Sequence, residues 1–126
     1  QILQKTGGFY IEPTVFSHVT PHHTLAKEEV FGPVLAITRF KTPEEAIQIA
    51  NNTVYGLAAG LWTTNLTLAH KTARELRSGL VWVNGWDACD MTMPFRGFKQ
   101  SGFGRDRSLH AMLKYSDLKS ISITLR

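Results

Sequence analysis

Apolar residues run along the chain in short blocks divided by polar, Pro- and Gly-containing stretches, and the blocks alternate between strand-like and helix-like spacing. Phe9-Tyr10-Ile11 and Val15-Phe16 flank Pro13 and predict an extended, interrupted segment at a sheet edge or bend. Val34 to Phe40 reads as a short buried strand. Thr42-Pro43-Glu44-Glu45 then starts a helix: Thr42 can cap, Pro43 fills a position whose N–H would be unbonded anyway, and Glu45 can reach back. Ala46, Ile47, Ile49 and Ala50 form its apolar face, and Asn51-Asn52 ends it.

Leu57 to Trp62 predicts the next strand, with Gly60 marking a bulge or a close backbone approach. Asn65 can cap a second helix whose Leu66, Ala69, Ala73 and Leu76 share a face and which Gly79 stops. Leu80 to Asn84 is a further strand. Strands separated by helices of this length favour parallel pairing and right-handed crossovers, which makes the fold class α/β. The pattern loosens into a loop from Gly85 to Arg105, and structureless loops of this length usually carry function. Asp106 can cap a last helix reaching about Lys114, with Leu109, Met112 and Leu113 inward. From Lys119 to Leu125, Ile121, Ile123 and Leu125 alternate with Ser120, Ser122 and Thr124, the pattern of a half-buried strand free to pair with another sheet or subunit.

Within this frame Glu28-Glu29-Val30-Phe31-Gly32-Pro33 is the turn that precedes the Val34 strand. Pro33 removes a backbone donor and Gly32 permits a positive φ, so a carboxylate and an aromatic ring are held near a strand end. In open α/β sheets ligands collect at strand ends.

Composition narrows the classes. A chain of 126 residues, 43% hydrophobic and 19% charged, suits one ordinary globular domain or a piece of a larger one. The formal charge of +4 admits an anionic ligand, but its cations are scattered among acids, so nucleic acid is a residual option. The single cysteine, Cys89, excludes an internal disulfide and suits a reducing compartment. No run approaches the roughly 20 apolar residues of a membrane span, so no membrane role and a cytoplasmic location are expected. The opening from Gln1, without an initiator Met, suggests a fragment.

The candidate chemistries are sparse. His18, His22 and His23 cluster around Pro21, but no further ligand follows at a usable spacing, so a solvated loop is preferred to a metal site. Gly97, Gly102 and Gly104 fit neither a dinucleotide fingerprint nor a phosphate loop. Cys89 could act as a nucleophile with His70 or His110 as base. No neighbouring cation favours its thiolate, and Asp87 and Asp90 oppose it, so a loop or pocket-lining role is preferred. Asp87 and Asp90 could serve acid–base work, but no partner group makes that specific.

Several stretches together resemble the C-terminal quarter of the NAD(P)-dependent aldehyde dehydrogenases. These are Gly8 to Phe16, Glu28 to Val34, Asn51 to Ala59, Val81-Trp82-Val83-Asn84, and Pro94-Phe95-x-Gly97-x-Lys99-x-Ser101-Gly102-x-Gly104-Arg105. The run Asp90-Met91-Thr92-x-Pro94-Phe95, with Lys99 to Gly102 and Arg105 to Ala111, is similar to the branch that oxidises γ-glutamyl-γ-aminobutyraldehyde and related aminoaldehydes.

The resemblance implies that residues 1–118 form part of the parallel-sheet catalytic domain and residues 119–126 an oligomerisation strand. It implies a homo-oligomer, an aldehyde substrate, NAD or NADP as cofactor and no metal. In such enzymes a cysteine thiolate adds to the aldehyde, hydride passes to the nicotinamide, and a glutamate activates water to hydrolyse the thioester. The nucleophile and base are expected in an N-terminal part of the enzyme, so no residue here maps to a catalytic role. Glu29 is expected to accept hydrogen bonds from the nicotinamide ribose, with Phe31 near that ribose and Leu57 near the nicotinamide. Cys89 and Phe95 would line the aldehyde tunnel, Asn84 would lie at the strand end beneath it, and Asp90 would stand at its mouth. Where the family usually reads Pro-Phe-Gly-Gly, this chain has Arg96, which would cost on the order of 1 kcal/mol at a positive φ. The alternative reading is a noncatalytic module for assembly or interaction.

Overall fold

A computed structural model describes residues 2–125, and the chain divides into two compact units, one ending at Val54 and the other beginning at Tyr55. Gln1 and Arg126, the outer ends of the two expected segments 1–118 and 119–126, lie outside the described residues.

In the first unit, β1 (Thr14–Phe16) and β2 (Val34–Ala36) pair in parallel, Thr14 opposite Val34 and Phe16 opposite Ala36. Bonds beyond the strands lengthen the ladder: Thr14 N–H donates to Pro33 C=O (2.8 Å), Ile37 N–H to Phe16 C=O (2.8 Å) and Val19 N–H to Ile37 C=O (3.0 Å). β2 is shorter and more open than the Val34–Phe40 run suggests, and Leu35 is exposed. Its entry turn closes when Val34 N–H donates to Gly32 C=O (2.8 Å), a three-residue turn about Pro33 whose fixed φ suits it. Gly32 does not use the positive φ it permits.

Helix α1 (Pro43–Asn51) begins as its sequence directs. Thr42 Oγ1 accepts Glu45 N–H at 3.2 Å, while Glu45 Oε2 accepts Lys41 N–H at 2.7 Å, a reciprocal cap displaced by one residue from the usual box. Ile47 is buried.

In the second unit, β3 (Ala58–Leu61) and β4 (Leu80–Val83) form a parallel pair with Ala58 opposite Leu80 and Leu61 opposite Val83. α2 (Leu66–Glu75) crosses between them, capped by Asn65 Oδ1 accepting Leu68 N–H at 2.9 Å. Its buried residue is Ala69, in the helix that packs against β4, whose Leu80 is also buried, whereas Leu66 faces outward. At Gly60 the close neighbour is a side chain and not the backbone or bulge expected: a Cβ there would lie 3.1 Å from the Trp86 ring.

Three expectations fail between Arg96 and Leu113. Asp106 does not cap the last helix, because its carboxylate pairs with the Lys114 ammonium instead, and α3 (Ser108–Met112) starts at Arg107 with no side-chain cap. The Lys114 amine is held above its ordinary range, chiefly by that hydrogen bond. Leu109, Met112 and Leu113 are exposed, since no other described element covers them. Arg96 has no positive φ, so the strain foreseen for it does not arise. Residues 119–125 show no strand pairing within the described chain, and Ile121, Ile123 and Leu125 are 72, 77 and 92% exposed.

Candidate functional site

The first unit carries a cleft of about 710 Å³ below the Glu28–Pro33 turn. Phe16, Val19, Leu25, Val30 and Val34 make it largely apolar, and Glu28 and Glu29 stand in its lining. Glu29 is exposed, and an ionised carboxylate is an acceptor-only group with up to four lone-pair directions, so paired hydroxyls such as those of a ribose match it. Phe31 is 94% exposed and does not line the cleft. The histidine loop is occupied locally: His23 Nδ1 accepts Thr20 N–H at 2.9 Å, and no metal-holding cluster occurs among the described residues.

Leu57, Asn84, Cys89, Asp90 and Phe95 all belong to the second unit. Leu57 is part-exposed at the start of β3, where its carbonyl accepts Leu80 N–H (3.2 Å). Asn84 takes a left-handed conformation (φ 55°) just past β4, and its amide completes the ladder. Oδ1 accepts Thr63 N–H at 2.8 Å and Nδ2 donates to Thr63 C=O at 2.9 Å. Thr63 Oγ1 in turn accepts Asn65 N–H at 3.1 Å, joining the strand end to the cap of α2. Asn tolerates the αL region better than branched residues do, and its amide imitates a backbone pair; both properties suit this position.

Cys89 is half-buried, in a loop that packs on paired indoles. Trp82 and Trp86 have ring centroids 4.6 Å apart at 47°, and Trp82 Nε1 donates to Ala88 C=O at 3.2 Å. Trp86 leaves 62% of its surface exposed.

Asp90 Oδ1 accepts both Thr92 Oγ1–H and Thr92 N–H at 2.7 Å, the side-chain turn typical of loop aspartates. Those two bonds, the hydroxyl's first, hold its carboxyl below the ordinary carboxylate range. A depressed folded pKa adds stability above the unfolded pKa that is lost as pH falls through the folded one, so acidification loosens this turn.

Phe95 exchanges two backbone bonds with Asp106, both 2.8 Å, and the Arg107 guanidinium lies 5.5 Å from its ring centroid. The Phe95 ring is thereby fixed from its own loop.

Sequence reasoning missed how residues 96–101 seat against the start of β3. Gly56 C=O accepts both Gly79 N–H (3.0 Å) and Phe98 N–H (2.8 Å), and Gly56 N–H donates to Ser101 Oγ (2.9 Å). The glycines are required by space: a Cβ at Gly79 would lie 1.6 Å from Arg96 O, and one at Gly97 2.3 Å from Ser101 O. Arg96 Nε donates to Gly97 C=O at 2.8 Å while its guanidinium lies over Phe98. The available signal was a Gly before each of two adjacent strands, Gly56 and Gly79, where close backbone approach is the alternative to a simple turn.

Comparison with known proteins places these features in context. Residues 3–121 match the model of the aldehyde dehydrogenase family. The NADP/NAD-dependent aldehyde dehydrogenase PuuC of Escherichia coli is 52% identical over 115 residues, covering 91% of this chain and 23% of that protein. A P. syringae indole-3-acetaldehyde dehydrogenase solved with NAD+ superposes with a TM-score of 0.90 at 63% identity, over 99% of this chain and 25% of that one. A γ-glutamyl-γ-aminobutyraldehyde dehydrogenase from Burkholderia cenocepacia gives 0.87 at 57% identity, over 94% and 24%. The chain thus spans about a quarter of the length of the relatives it matches.

Proposed function

The chain belongs to the aldehyde dehydrogenase family, and we propose that it supplies cofactor-ribose and substrate-facing residues to an enzyme that oxidises an aldehyde to a carboxylic acid with NAD+ or NADP+. The observation that carries this reading is the superposition of nearly the whole chain on a dehydrogenase solved with NAD+. The nicotinamide cofactor accepts hydride; the residues here bind and orient. Glu29 receives the ribose hydroxyls, Phe31 packs near that ribose, and Leu57 bounds the nicotinamide. Cys89 and Phe95 line the aldehyde's path, and Asn84 holds the strand end beneath it. The nucleophile and the water-activating base come from an N-terminal part of the same enzyme, which also covers the apolar cleft of the first unit.

Glu29→Gln tests the cofactor role. It keeps the side chain's size and loses the charge that strengthens each ribose bond. In the complete enzyme, single-turnover hydride transfer is expected to slow by about tenfold, because one lost charge-assisted bond is worth roughly 1.4 kcal/mol of positioning, while overall NAD+ affinity falls less. Hydride transfer at the unsubstituted rate would remove Glu29 from the site.

For the substrate we propose an aldehyde with a cationic tail. Asp90 and the largely exposed Trp86, carried on one loop, would offer an ammonium group an ion pair and a cation–π contact, the latter worth roughly 0.5–2 kcal/mol. Asp90→Asn separates this from the loop-fixing role, since the amide oxygen can still accept both Thr92 bonds while the charge is gone. KM for an aminoaldehyde is expected to rise severalfold, with an uncharged aldehyde of similar length nearly unaffected. Equal losses for both substrates would assign Asp90 to the loop alone.

A second reading, an assembly module, draws on residues 119–125, whose apolar side chains are exposed and unpaired within the described chain. The two are compatible if this segment pairs with another subunit of a homo-oligomer.

A further inference from the structure

We infer that Ser101 is a positioning residue whose hydroxyl latches the Phe95-bearing loop onto the peptide preceding Leu57, keeping the substrate-facing and cofactor-facing parts of the second unit in one register. The inference rests on the functional reading above.

Gly56 is buried, so both polar groups of its backbone need partners inside the protein. Its carbonyl accepts N–H groups from Gly79 and Phe98, which come from the start of β4 and from the loop. Its N–H has Ser101 Oγ, a side-chain oxygen contributed from 45 residues away. The two bonds to the Gly56 carbonyl come from backbone N–H groups, whereas the acceptor for its N–H is a side-chain oxygen, the Ser101 hydroxyl.

Ser101 is itself held tightly. It closes a 3₁₀ turn, Lys99–Ser101, with its N–H donating to Phe98 C=O at 3.0 Å, and its carbonyl lies so near Gly97 that no side chain fits between. Loop and strand therefore meet at two fixed points, Phe98 and Ser101, on either side of the 3₁₀ turn. Leu57 follows Gly56 directly, and Phe95 precedes Phe98 by three residues, so a rotation about the remaining Phe98 bond moves both. Removing the hydroxyl leaves a buried N–H without its acceptor and frees that rotation.

The test uses the complete enzyme, or a chimaera in which this segment replaces the matching quarter of the E. coli relative, with Ser101→Ala and Ser101→Thr. NAD+ titration by calorimetry separates two effects: stoichiometry counts folded sites, and Kd reads their geometry. Ser101→Ala is expected to keep the stoichiometry of the unsubstituted enzyme while raising Kd for NAD+ and KM for the aldehyde about three- to tenfold each. Ser101→Thr, which retains the hydroxyl, is expected to bring both constants back to within about twofold. Unchanged constants in Ser101→Ala overturn the positioning role, whether stoichiometry holds or falls, because a residue that only supports folding would alter the number of sites and not their affinity. Failure of Ser101→Thr at full stoichiometry to relieve the defect also overturns it. Absence of NAD+ binding by the unsubstituted enzyme overturns the functional reading instead.

Discussion

The isolated 126-residue chain is expected to produce no NADH from NAD+ with propanal or an aminoaldehyde, and to bind an apolar-surface dye strongly. The first half follows from chemistry. Positioning groups cannot replace a nucleophile and a base, and no residue of this chain is assigned either role. The second half follows from surface. The chain exposes 10798 Å², whereas a globular protein of 14.1 kDa exposes about 6,700 Å², and two separate globules of the units' sizes about 8,000 Å². Among the described residues the buried apolar side chains are Val19, Ile47, Ala69 and Leu80, each still 6–7% accessible. An excess of more than 2,000 Å² or so exceeds a standard protein–protein interface and is the amount expected of a segment whose core is completed by other polypeptide. Steady NADH production by the pure chain would contradict the assignment of chemistry elsewhere. A sharp cooperative melt with no dye binding would contradict the need for a covering partner.

Gly79→Ala should be among the most damaging single substitutions in the complete enzyme. A methyl group there would sit 1.6 Å from Arg96 O, a backbone atom that cannot rotate away as a side chain would. Relief requires moving residues 96–97 or the start of β4 by more than 1 Å, which breaks Gly79 N–H to Gly56 C=O and disturbs the Phe98 and Ser101 bonds to the same peptide. Overpacking and the lost hydrogen bonds together amount to about 3 kcal/mol or more. Chemical denaturation should show the midpoint falling by that equivalent, and activity should fall with it. The Gly32→Ala variant is the control, because a Cβ at Gly32 meets open space and its φ is not positive. Equal stability of the Gly79 and Gly32 variants would show that the loop yields freely at that contact.

Legibility in the sequence followed the range of the interaction. The start of α1 could be read because Thr42, Pro43 and Glu45 act within one turn, and the observed cap uses those residues. Asn65 before α2 was equally clear for the same reason. The parallel pairing of β3 and β4 followed from the helix between them, since only a crossover of that length returns the chain in the same direction. Motif resemblance reached further than periodicity and led to the family, because joint matches at many positions carry information that single spacings lack.

Distant partner choice lay beyond that reach. Asp106 stands where a cap would, yet its carboxylate prefers Lys114, which the chain brings back one helix later. Helical spacing identified Leu109, Met112 and Leu113 as apolar but could not say what would cover them, and no other described element does. The sequence by itself therefore determined the local elements, their caps and their parallel order, because capping and steric preference act within a few residues of backbone. Only the tertiary structure decided that Asn84 would copy a strand rung onto Thr63 and that Ser101 would close on Gly56, because each needs a specific unpaired backbone group 21 or 45 residues away to arrive at hydrogen-bond distance.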